Sequence, residues 1–152
     1  MKALLFALVL LSSCCPPQCD RLPPITAKEI TDCEGNLIVV ETVDLNIFPF
    51  PPTLAVEENI AIFMKMSILK SKEQDPTVKI LRQERTDDGF FAVIDMPKGL
   101  YKSIDCDKGC YAYPCKERLI IISYLVPKEK GITIERMREK LLEIKRNLIN
   151  YL

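Results

Sequence analysis

The spacing of apolar positions changes several times along this chain, and each change predicts a different element. Leu37 to Ile47 is rich in Val, Ile and Thr, which suit a half-buried pleat, so a strand is expected there. Phe48-Pro49-Phe50-Pro51-Pro52 stops it, because proline has no amide hydrogen for a ladder. Asn59 to Leu69 resumes in near-alternation, which predicts a second strand. Ile60, Ile62, Met64, Met66 and Ile68 fall on one face; Ala61, Phe63, Lys65, Ser67 and Leu69 fall on the other. Thr77 to Met96 reads as a hairpin turning at Thr86-Asp87-Asp88-Gly89, with Val78 and Ile80 facing away from Lys79 and Leu81. Pro97 to Lys116, with three cysteines, three tyrosines, two glycines and two prolines, is expected to be a loop. Glu117 to Val126 is the last strand, and its continuous Leu119-Ile120-Ile121-Ile122 run implies burial on both faces.

The period changes again from Thr133 to Leu152. Ile134, Met137, Leu141, Ile144 and Leu148 recur at helical spacing behind Thr133 as N-cap, while Glu135, Arg136, Glu139, Lys140 and Glu143 fill the outer face. This is an amphipathic helix. Its apolar stripe packs on the sheet, or else it forms a lid or a membrane-touching face.

At the other end, Lys2, the apolar run Ala3 to Leu11 and the small residues Ser12, Ser13 and Cys14 predict a secretory signal over residues 1–14. Leu11-Ser12-Ser13-Cys14 also fits a bacterial lipobox, in which Cys14 would carry a lipid. Residues 15–31, with four prolines, are expected to form an extended arm, and 32–152 to form one domain of ordinary size that includes the helix 133–152. Asp32-Cys33-Glu34-Gly35-Asn36 is the turn into the first strand.

Acidic and basic residues number 21 each and are spread through the chain, which leaves no electrostatic footprint for nucleic acid. Histidine is absent, so neither a Ser-His-Asp nor a Cys-His pair is available. Neither a G-x-S-x-G elbow nor a phosphate-cradling glycine loop is present. Asp87-Asp88 and Asp105/Asp107 read as turn residues and not as a catalytic carboxylate pair. The chain is expected to bind something without transforming it, with no cofactor and no metal. Cys19, Cys33, Cys106, Cys110 and Cys115 are the disulfide candidates and favour an oxidising compartment, the pairing being open. One of the three in the 97–116 loop is expected to close it locally, and another to tie it to Cys33 or to the N-terminal arm.

Asp32-Cys33, VETVDLNIFPFPP, NIAIFMKMSILK and VKILRQERTDDGFFAVIDMP followed by GCYAYPC together resemble the ML lipid-recognition family, and within it the GM2-ganglioside-activator branch. The resemblance implies a mainly β, immunoglobulin-like sandwich of two sheets parted to hold acyl chains, each methylene gaining about 0.8 kcal/mol on leaving water. It implies a secreted or lysosomal carrier that presents a lipid or glycolipid, as activator of a lysosomal hydrolase, with transient membrane contact. Within such a cleft, alternation assigns the lining to Ile62, Met64, Met66, Val78, Ile80, Phe91, Val93, Ile120 and Ile122; the resemblance implies a mouth at Tyr101, Tyr111 and Tyr113, whose amphipathic rings would meet a lipid surface. The chain departs from the family at its end, where a charged helix replaces further strands and no cysteine follows Cys115. The alternative is a secreted, disulfide-stabilised interaction module, a protease inhibitor or receptor ligand, working through the Tyr/Cys loop 100–116.

Overall fold

Leu119-Ile120-Ile121-Ile122 carries no polar interruption because it runs through the middle of a sheet that is covered on both sides. In the computed structural model, which describes Cys19, Leu22 and residues 27–47, 55–97 and 105–152, the protein is mainly β. Its strands are β1 (Ala27–Thr31), β2 (Leu37–Asp44), β3 (Lys79–Thr86), β4 (Gly89–Met96), β5 (Cys106–Cys115) and β6 (Arg118–Pro127). They form one six-stranded antiparallel sheet in the order β1-β2-β6-β5-β4-β3. Helix α1 (Val56–Gln74) carries the chain from β2 to the far edge, and α2 (Ile134–Arg146) with the short α3 (Leu148–Tyr151) follows β6.

The pleat of β6 sorts the core into two halves. Ile120, Ile122, Tyr124 and Val126 point to the side of Met137, Leu141, Ile144 and Leu148 from α2 and α3. Leu119 and Ile121 point to the side of Ile60, Ala61, Met64 and Ile68 from α1. Each fully buried Ile, Leu or Phe contributes roughly 1.5–3 kcal/mol. Two helices on opposite faces are therefore what allows a central strand to be this apolar.

The hairpin Thr77–Met96, the turn at Asp32–Asn36, the last strand and the C-terminal helix form where the sequence predicts them, and the Thr133 hydroxyl caps α2 by accepting from the Arg136 amide at 3.1 Å. Four other expectations are corrected. Asn59 to Leu69 is helix: Ile60, Ala61, Met64 and Ile68 share a face at the 3.6-residue period, three of them (Ile60, Met64 and Ile68) also fit a two-residue one, and neither glycine nor proline interrupts the 19 residues of α1. The run's Ala, Met, Leu, Lys and Glu content then favours the helix. Cys106 to Cys115 is strand, not loop; its glycine, cysteines and proline hid an alternation that pairs residue by residue with β4 and β6. Ala27 to Thr31, expected in the arm, is an edge strand paired with β2. Finally, the described strands form one sheet where two were expected, and the segment expected as the second strand is α1.

The cystine pattern is corrected too. Cys19 is bonded to Cys115, which ties the arm to the end of β5, as one of the expected links does. Cys33, Cys106 and Cys110 are free thiols. Cys106 and Cys110 lie four residues apart on one strand, roughly 13 Å along its length, beyond the reach of a mutual bridge. The expected leader, the proline-rich 48–52 turn and Tyr101 lie outside the described residues.

Two glycines record how closely the layers approach. A Cβ on Gly89 would strike the carbonyl oxygen of Ala112 on the neighbouring strand; one on Gly109 would strike the side chains of Met137 and Leu141. Gly109→Ala is expected to lower stability by about 1–3 kcal/mol, since flexible side chains yield, and Gly89→Ala by more, since a strand backbone does not. Urea unfolding of the two variants checks the order. Wild-type stability in both would contradict the close packing of α2 on β5.

Candidate functional site

The sheet divides the residues that alternation had grouped as a lipid lining. Phe91, Val93, Ile120 and Ile122 lie buried on the α2 side. Val78 and Met64 lie buried on the α1 side, with Ile80 partly buried beside them. Ile62 and Met66 point outwards from α1, 37% and 59% exposed. A bulge between Ile80 and Arg82 breaks the alternation expected in β3 and leaves Leu81 exposed. The nine therefore do not line one space.

Tyr111 and Tyr113, expected at a cavity mouth, are buried core residues of β5. The Tyr111 hydroxyl donates to the Asp88 carboxylate at 2.6 Å and lies 3.1 Å from the Thr86 hydroxyl, from which it can accept. The Lys145 ammonium, itself paired with Asp88, lies 5.0 Å from the Tyr111 ring centre and 4.7 Å from that of Tyr113. Burial and the neighbouring Asp88 push the Tyr111 phenol up to about 12, so it remains a donor. This cluster fastens α2 to the β3–β4 turn. Its groups are partnered among themselves.

A concave site lies elsewhere, where the β1–β2 turn meets the start of α2. It is built on Asp32. One carboxylate oxygen accepts from the amides of Glu34 at 2.9 Å and Asn36 at 2.8 Å, the local bond that makes Asp a turn residue. The other accepts from the Tyr124 hydroxyl at 2.7 Å, reaching from the turn to β6. Asn36, buried, donates from its side-chain amide to the same hydroxyl at 2.7 Å. Lys130 closes the ring by donating to the Asn36 side-chain oxygen at 2.7 Å and the Glu34 carbonyl at 2.6 Å. Burial opposes the charge on Asp32, but the bonds from Tyr124, Asn36 and Glu34 outweigh it and hold the carboxyl below its usual range. Burial and the same carboxylate push the Tyr124 phenol far above its usual value.

On this floor stands a cleft of about 420 Å³ whose walls include Lys130, Thr133, Arg136 and Lys140. Glu34 is the acidic residue among its lining, and Val126 and Ile132 supply apolar contact. Lys140 is tucked in, its side chain 17% exposed, and Glu143 lies 3.4 Å from its ammonium. Burial would lower its pKa, yet Glu143, Tyr151 and Asp32 raise it further, so the charge is kept. Lys130, Arg136 and Lys140 thus line one hollow in a chain with no net charge, Lys130 bonded to Asn36 and Glu34, and Arg136 and Lys140 each paired along the helix with Glu139 and Glu143. Such a hollow suits a carboxylate or phosphate group, with guanidinium and ammonium donors as its partners. Among the described residues no cluster of three or more His, Cys, Asp or Glu is placed to hold a metal ion.

None of these residues stood out in the sequence. Arg136 and Lys140 read as part of the outer, charged face of the helix, and Lys130 carried no reading at all. The one available signal was Asp32-x-x-x-Asn36, read as a turn, whose side chains go on to organise the cleft floor.

The Asp32 bonds carry a pH dependence whose sign follows from the shift. The folded pKa lies below the unfolded value of about 3.9, so the stabilisation is present above that pH and is lost as pH falls through the folded value. Tyr124→Phe, which leaves Asn36 and Asp32 short of a partner, is expected to cost roughly 1–3 kcal/mol at neutral pH and to flatten the acid limb. Urea unfolding between about pH 2 and 7 measures both. An unchanged midpoint and an unchanged limb would show that the network does not hold the turn. No family model matches the chain and no curated protein matches it, so the functional reading rests on this geometry.

Proposed function

We propose that this protein is an exported, non-catalytic binding domain that takes a small anionic group, a carboxylate or a phosphate, in the cleft between the β1–β2 turn and α2. One observation carries the reading: Lys130, Arg136 and Lys140 line a single hollow whose floor is already fixed by hydrogen bonds. A preformed concavity with a few convergent polar groups is the usual form of a small-molecule site. Its hydroxyl and carboxylate floor is occupied by internal bonds, which favours holding a ligand over transforming one. The Cys19–Cys115 disulfide supports an oxidising destination, secreted or lumenal, in keeping with the apolar leader read in the sequence. No helix among the described residues is long and apolar enough to cross a membrane.

The ML-type carrier role needs a hollow between two sheets, and the described strands supply one sheet with a helix on each face. A glycolipid or phospholipid would meet this protein through its anionic headgroup. The Tyr/Cys-loop module is likewise less well supported, because Tyr111 and Tyr113 are 3% and 8% exposed.

Titration of the isotopically labelled protein with inorganic phosphate and with acetate, followed by amide NMR, tests the proposal. Saturable shifts at Asn36, Tyr124 and Lys130 to Arg136 are expected below about 10 mM, an affinity within reach of a few charge-assisted bonds. Arg136→Ala with Lys140→Ala is expected to weaken them at least about tenfold while leaving the spectrum of the sheet unchanged. Shifts spread evenly over all exposed lysines, or none at the cleft, would overturn the assignment.

A further inference from the structure

Helix α1 is apolar on two sides. Ile60, Ala61, Met64 and Ile68 are buried against the sheet, yet Ile62, Met66 and Leu69 are 37%, 59% and 53% exposed. At about 100° per residue, these three fall within an arc of roughly 60° on the side opposite the buried stripe. Lys65 and Lys72 border that crest on one flank and Lys70 on the other, all exposed. None of the three lysines takes part in an ion pair among the described residues, whereas Glu58, nearer the helix start, faces Arg85 at 3.9 Å. Glu73 closes the crest at its C-terminal end. α2 is built differently: its apolar residues keep to one stripe, and Arg136, Arg138, Lys140 and Lys145 are all paired with carboxylates.

An apolar crest edged by unpaired lysines is suited to an anionic lipid surface. The apolar side chains enter the headgroup boundary, and the lysine stems lie along it with their ammonium groups at the phosphates. A protein partner is less well matched, since protein interfaces are depleted in lysine and anchored by Trp, Tyr and Arg, none of which the crest offers. We propose that the outer crest of α1, Ile62, Met66 and Leu69 with Lys65, Lys70 and Lys72, docks reversibly on anionic membranes. α1 and α2 cover opposite faces of the sheet, so this contact is independent of the cleft and leaves it facing away from the lipid.

Co-sedimentation of the protein with phosphatidylcholine vesicles containing about 30% phosphatidylserine tests this, beside pure phosphatidylcholine. Partition to the anionic vesicles that falls with added salt is expected. Met66→Asp is expected to weaken it about tenfold, and Lys65→Gln, Lys70→Gln and Lys72→Gln together by on the order of a hundredfold. Arg136→Ala with Lys140→Ala, by contrast, is expected to leave it unchanged. Met66→Gln, milder on a half-exposed helical site, gives the same readout should the aspartate disturb folding. Equal binding to neutral vesicles, binding untouched by the Met66 variants, or a dimer in sedimentation velocity that Met66→Gln dissolves would each overturn the proposal, the last by assigning the crest to a second copy of this chain.

Discussion

Burial of β5 and β6 from both sides is the constraint on which the rest of the molecule depends. Residues 119–126 of β6 are all buried, with Ile120, Ile122, Tyr124 and Val126 in one core half and Leu119 and Ile121 in the other. A strand of that composition cannot face water on either side without losing the transfer free energy of every second residue. The chain meets the demand by spending one helix on each face. α1 reaches its face during the crossover from β2 to the distant edge strand β3, and α2 folds back on the other face after β6. The Cys19–Cys115 bond ties the arm at Cys19 to this frame, and the Lys28 ammonium, which donates to the Leu152 carbonyl, ties α3 to β1.

α2 and α1 cover the middle of the sheet, and the hollows the fold offers lie beside them: the cleft at the rim, and a second hollow of about 310 Å³ on the α1-side face, walled by Val39, Glu41, Lys108, Ser123 and Leu125. The cleft arises where three pieces remote in sequence converge: the Asp32–Asn36 turn, Tyr124 on β6, and the Lys130–Lys140 approach to α2. The buried Asn36–Tyr124 pair gives that convergence its precision, since a buried amide or phenol without a partner costs more than a made bond gains. The same economy explains why the predicted tyrosines are not surface anchors. Tyr111 and Tyr113 fill the α2 interface with their rings under Lys145, and the Tyr111 hydroxyl is spent on Asp88.

How much of this was legible follows from how each signal is encoded. β6, the Thr77–Met96 hairpin and the C-terminal helix were readable because their apolar periods are unambiguous and their boundaries carry Asp-Gly, Pro127 and a Thr cap. α1 was not: Ile60, Met64 and Ile68 satisfy both a two-residue and a four-residue repeat, and Ile62 and Met66 from the second apolar side fill the gaps between them, which imitates a strand's alternation. β5 was hidden by cysteine, glycine and proline, whose placement makes sense only against neighbours; Gly109 is small because Met137 and Leu141 press on it. The cleft was illegible for a further reason. Lys130 finds Asn36 across 94 residues, and no local pattern encodes a meeting at that distance.

The central claim is one sheet with a helix filling each face, and methyl nuclear Overhauser spectroscopy reads it directly. The account predicts helical carbon shifts over residues 56–74, cross-peaks from Leu119 and Ile121 to the methyls of α1, and cross-peaks from Ile120 and Ile122 to those of α2. Extended-chain shifts over residues 59–69, with strand-to-strand cross-peaks from that segment to a second sheet, would contradict it.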